Sequence, residues 1–168
     1  KRKCLKAARI DIPPQVKFLP IDFNQESLQD VLEKAGSTRE EKTLFIWEGV
    51  TMYLTAEAVD ETLAFVADNS GQGSSVIFNY LVEPVGDGPR DPEMSWWTVK
   101  RRQEWLEYAA RIGEPFTFGI PEGTVEEFLC NRGFHQVVNA TCKEMRNAFA
   151  TGSNRKRQVT SSFSISQP

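Results

Sequence analysis

The stretch Thr43-Leu-Phe-Ile-Trp-Glu-Gly-Val-Thr-Met-Tyr-Leu54 constrains the chain most, because an apolar run of strand length stops abruptly at a carboxylate and a glycine. Short apolar runs rich in branched and aromatic residues read as strands whose two sheet faces are both covered by helices. Glu48 then stands where a strand ends. In open α/β sheets ligands bind in the crevice outside the carboxyl ends of the strands, so an acid at that place is a candidate ligand contact. Val16-Lys-Phe-Leu-Pro-Ile21 reads as another strand and terminates in Asp22-Phe23-Asn24 ahead of a helix. The two strand-end acids, Asp22 and Glu48, point to one shared pocket.

The punctuation between these runs gives alternating strands and helices, the pattern of successive βα units in a parallel sheet. Ser27 is placed to cap a helix with Asp30 three residues on, an apolar stripe of Leu28, Val31, Leu32 and Ala35, and a stop at Gly36. Thr55 is placed to cap a second helix that carries Val59, Leu63 and Val66 inward. Ser75 to Tyr80 is the next strand. Asp91-Pro92 pairs a cap residue with a proline at the first helical position, and opens a long helix to Ile112. Trp97, Trp105 and Tyr108 of that helix fall near one face. Thr124-Val-Glu-Glu127 has the form of a capping box for a short helix that Gly133 ends, and Phe134 to Val138 follows as a strand. Ser161 to Ser166 supplies a last, antiparallel strand. There is neither an internal repeat nor a domain boundary.

The 168 residues carry a net charge of −3 with acids and bases interspersed, which leaves no concentrated basic face for nucleic acid. Arg155-Lys-Arg157 is a compact basic cluster and reads as a solvated loop. Three cysteines, Cys4, Cys130 and Cys142, are odd in number and lack paired spacing, so neither a disulfide framework nor a zinc site follows, and they read as reduced, half-buried thiols. No apolar run approaches the ~20 residues of a membrane span and no signal peptide is visible. These features predict a cytoplasmic globular protein that binds neither nucleic acid nor membrane.

Val-Lys-Phe-Leu-Pro-Ile-Asp-Phe-Asn (16 to 24) and Phe-Ile-Trp-Glu-Gly-Val-Thr-Met-Tyr-Leu (45 to 54) together resemble the S-adenosylmethionine-dependent methyltransferases of the leucine carboxyl methyltransferase family, in its small-molecule branch. Further likeness lies at Ser75 to Tyr80, Gly113 to Gly119 and Glu127 to Phe134. The resemblance implies the C-terminal part of a Rossmann-like methyltransferase sheet, with parallel βα units ending in an antiparallel strand and the first strands missing. It also makes residues 1–168 a single partial domain. The family's glycine-rich cofactor loop has no counterpart, and Lys1 to Ala8 looks like the tail of the helix after the second strand. Strands lacking those neighbours would present open edges, so the chain alone is expected to be poorly soluble or loosely packed.

By that resemblance Asp22 accepts a hydrogen bond from the adenine amino group of S-adenosyl-L-methionine while the Phe23 main chain reads the ring edge. Glu48 faces the cationic end of the cofactor, and Tyr53 closes the pocket or packs on the sheet. Trp96, Trp97 and Tyr108 are candidates to line a pocket for a small-molecule acceptor, with packing as the alternative. No catalytic residue is assigned. The single histidine, His135, lies between apolar residues in an expected strand and reads as structural. A carboxylate acceptor is anionic at neutral pH and needs no general base, which favours O-methylation of a carboxylate. Arg90, Lys100, Arg101 and Arg102 are cations available to such an acceptor, each more readily explained as solvated. Three alternatives stay open: methylation of a phosphatase C-terminal leucine, a dehydrogenase in which Asp22 holds the ribose of NAD, and a non-catalytic nucleotide-binding-fold protein.

Overall fold

The computed structural model describes residues 1–23, 25–36, 41–83, 85, 99–155 and 163–167. Helix α1 (Arg2–Ala7) and helix α2 (Leu28–Lys34) precede the sheet; the Ser27 side chain caps α2 by accepting from Asp30 N, and Gly36 at φ +81° turns the chain out of it. Strand β1 (Leu44–Trp47) leads through a 3₁₀ turn (Thr51–Tyr53) to helix α3 (Ala56–Asp68) and strand β2 (Ser75–Glu83). Helix α4 (Val99–Arg111), the two-residue strand β3 (Ile120–Pro121), helix α5 (Val125–Cys130), strand β4 (Val138–Ala140), helix α6 (Cys142–Phe149) and strand β5 (Phe163–Gln167) complete the order.

The five-stranded sheet runs β1-β2-β5-β4, with β3 added to β2. Strands β1 and β2 are parallel, in a register that sets Phe45 beside Val76 and Trp47 beside Phe78. Strand β5 enters antiparallel to both β2 and β4. This is the α/β arrangement expected from the sequence, parallel βα units closed by an antiparallel strand. The core lies on one side, where Val59 and Leu63 of α3 are fully buried among Trp47, Val76, Phe78, Tyr80, Ile120 and Leu129. Each such side chain contributes about 1.5–3 kcal/mol by leaving water. Thr55 caps α3 through its hydroxyl, which accepts from Ala58 N.

Four expectations are corrected. Residues 16–21 form no strand: the chain there is irregular, with Val16 42% and Leu19 40% exposed, because among the described residues no neighbouring strand offers a ladder. Among the described residues β1 is not covered on both faces either. Leu44 and Ile46 are 57% and 68% exposed, while their neighbours Phe45 and Trp47 face α3. The Phe134 to Val138 strand starts only at Val138, since Gln136 takes a left-handed φ of +60° that no strand accommodates. Finally, Thr124 sits at the head of α5 without a cap bond; its hydroxyl donates instead to Pro121 O at 2.9 Å.

Candidate functional site

The turn after β1 is built from backbone outward. Gly49 adopts φ +72°, a left-handed conformation that costs a side-chain-bearing residue strain, and it lets the chain reverse directly beyond Glu48. Gly49 N–H donates to Asn79 Oδ1 at 2.7 Å, and the Thr51 hydroxyl donates to the main-chain oxygen of Asn79, also at 2.7 Å. Thr51 is fully buried. The loop between Trp47 and Tyr53 is thereby fastened to the middle of β2, with the Glu48 side chain exposed at the strand end.

A second fastening comes from the approach to β3. Thr117 N–H donates to Met52 O at 2.8 Å and the Thr117 hydroxyl donates to Leu54 O at 2.7 Å. The Tyr53 ring lies 5.1 Å from Phe116, and Phe116 lies 4.6 Å from Trp105 of α4. Tyr53 is thus held by an aromatic cluster while remaining 39% exposed.

Asp22 is exposed, and its Oδ2 accepts from Gln25 Nε2 at 2.7 Å. Its main-chain N–H donates to Glu26 Oε2 at 3.0 Å. Phe23 is half-buried with its ring 6.3 Å from Trp47, so the residues adjoining the two acids pack on each other. Two cavities of about 360 Å³ flank Phe23, one between α2 and α3 and the other reaching Phe45 and Trp47. Neither is lined by Asp22, Glu48 or Tyr53.

The remaining candidates scatter. Trp96 and Trp97 lie outside the described residues, as do Asn24, Arg90, the Asp91-Pro92 helix start and the side chains of Lys100 and Arg101. Tyr108 is 51% exposed with the Arg111 guanidinium 5.4 Å from its ring centre, whereas Trp105 and Ala109 face inward. The expected common face of Trp105 and Tyr108 is therefore split. His135 is an exposed loop residue, neither in a strand nor structural in the core. Among the described residues no cluster of His, Cys, Asp and Glu could hold a metal ion, and no helix is long and apolar enough to cross a membrane.

Asn79 is the residue that sequence reasoning passed over. A lone amide in the otherwise apolar run Ser75 to Tyr80 was its signal.

Residues 1–67, which hold Asp22, Phe23, Glu48 and Tyr53, match the model of the leucine carboxyl methyltransferase family. Over that stretch the chain is similar to the leucine carboxyl methyltransferase family. A curated relative, the "Putative S-adenosyl-L-methionine-dependent methyltransferase YktD" of Bacillus subtilis (strain 168), is 26% identical over 160 residues, which are 95% of this chain and 49% of the relative. The chain spans about half the length of the curated relative it matches. Among solved structures, a possible exported protein from Bordetella parapertussis superposes with a TM-score of 0.51 at 16% identity, over 96% of this chain and 56% of that one. That likeness shows the fold alone.

Proposed function

We propose that the protein acts as an S-adenosylmethionine-dependent O-methyltransferase whose acceptor is a carboxylate of a small molecule. The observation that carries the reading is the exposed Glu48 on a turn pinned to β2, inside the stretch that matches the family. The donor set fits the cofactor. An exposed carboxylate suits an ammonium group, an acid beside an aromatic residue suits an amino-bearing purine, and both gain from charge-assisted hydrogen bonding.

In this reading Glu48 holds the ammonium of the methionine part and Asp22 accepts from the adenine amino group. The Phe23 main chain reads the ring edge, and Tyr53, braced by Phe116, shields that side of the site. When bound, the cofactor supplies a methyl group already activated by its sulfonium. The chain's task is then to orient its partners and to keep water out. An acceptor carboxylate arrives as an anion, so no side chain has to remove a proton, in keeping with the exposed loop position of His135. The reading places the protein in the reducing cytoplasm, a setting that suits the exposed free thiols of Cys4 and Cys130.

The chemical test is the alkali lability of the product. The full gene product is incubated with methyl-labelled cofactor and a small-molecule extract, and the product is then treated with mild base. Volatile labelled methanol is the expected result, because methyl esters hydrolyse under conditions that methyl ethers and N-methyl amines survive. Label retained on the acceptor would overturn the carboxylate assignment.

A further inference from the structure

We infer that Asn79 is a positioning residue for cofactor binding: from the middle of β2 it fixes the turn that presents Glu48. The inference rests on the role proposed for Glu48 and adds a residue that touches no ligand.

Asn79 sits between the buried Phe78 and Tyr80 in a strand paired on both sides, with Trp47 opposite Phe78 in β1 and Ile165 opposite Asn79 in β5. Asn79 is paired with β5, one residue beyond Phe78, where the pairing with β1 ends. Asparagine is a poor strand former, and its amide in a half-buried position carries a desolvation cost unless it makes a hydrogen bond. Here the bond is specific. Oδ1 accepts from Gly49 N at 2.7 Å, and the Asn79 main-chain oxygen accepts from the buried Thr51 hydroxyl at 2.7 Å. One residue thus fastens both ends of the three-residue reversal that follows Glu48.

Gly49 supports the same conclusion from the other side. A Cβ added there would meet nothing within 4 Å, so the glycine is required by its φ of +72° and not by crowding. The turn is a conformational choice that Asn79 stabilises.

The test separates positioning from general stability by using two ligands. S-Adenosylhomocysteine carries both the adenosine and the amino-acid part, while methylthioadenosine carries the adenosine part alone. Calorimetric titration of the full gene product with each should show that Asn79→Leu weakens S-adenosylhomocysteine by about tenfold or more, with methylthioadenosine essentially unchanged. Asn79→Asp restores an acceptor for Gly49 N and should recover most of the lost affinity. Gly49→Ala, which strains the same turn, should reproduce the selective loss and serves as the lesion if Asn79→Leu does not fold. Equal weakening of both ligands, or unchanged binding of S-adenosylhomocysteine by folded Asn79→Leu, would overturn the inference. If Glu48→Ala weakens S-adenosylhomocysteine but Asn79→Leu does not, the positioning role alone fails. If Glu48→Ala has no effect, the role proposed for Glu48 fails and this inference with it.

Discussion

At the scale of single residues, the positions that matter divide into those whose chemistry is declared by type and those declared only by geometry. Glu48 and Asp22 are legible as candidates because an acid at the end of an apolar run has no packing reason to be there. Asn79 is not, because its proposed role rests on a hydrogen bond to Gly49, thirty positions away along the chain, that strand pairing alone brings within reach. Thr141 and Glu144 form a reciprocal capping box at the head of α6, marked in the sequence by the Thr-x-x-Glu spacing alone. Hydrogen bonds to the Glu144 carboxylate, first from Thr141 N–H and then from the Thr141 hydroxyl, hold its pKa below the ordinary glutamate value. A depressed folded-state pKa means the unfolded chain binds the proton more readily. The stabilisation is therefore complete above the unfolded value and is lost as pH falls through the folded one. Titration followed by the carboxyl chemical shift should place Glu144 below the ordinary glutamate value, and Thr141→Ala, which removes the hydroxyl but keeps the backbone donor, should raise it part of the way back. A Glu144 midpoint at the ordinary glutamate value would contradict the capping box.

Elements were most legible where their signals are local. Ser27 and Thr55 cap α2 and α3 as their spacing implies, since a cap needs only its own first turn. The box expected at Thr124 fails because Thr124 Oγ1 turns back to Pro121 O, a competing local bond that the same residue type permits. Strands fared worse, because they need partners. Residues 16–21 have strand composition but no ladder among the described residues, and Gln136 interrupts an apolar run whose composition alone reads as continuous. The contrast between the two threonines is measurable. Thr55→Ala should lower stability by about 1 kcal/mol, read as a shift in the denaturant midpoint, and Thr124→Ala should shift it less. Equal shifts would mean that the Thr55 cap bond contributes nothing beyond an ordinary surface hydroxyl.

Across the whole molecule, β1 is covered by α3 on one face, while its other face meets solvent at Leu44 and Ile46 among the described residues. The apolar strand runs suggested cover on both faces; composition records what a strand could bury, and only the packing of helices decides what it does bury. The sheet order and the antiparallel entry of β5 agree with the family resemblance, which reached further than periodicity could. The site divides in the same way: the turn after β1 is well braced, while Asp22 rests on a segment outside the ladder, joined to β1 through the Phe23–Trp47 ring contact. The account's central claim is that these two corners hold one cofactor. Its most direct test is calorimetric titration of S-adenosylhomocysteine into the full gene product, its Asp22→Ala variant and its Glu48→Ala variant. Losing a charge-assisted hydrogen bond at either corner should weaken binding by about tenfold or more, at least ~1.4 kcal/mol. Affinity unchanged in both variants would contradict the claim.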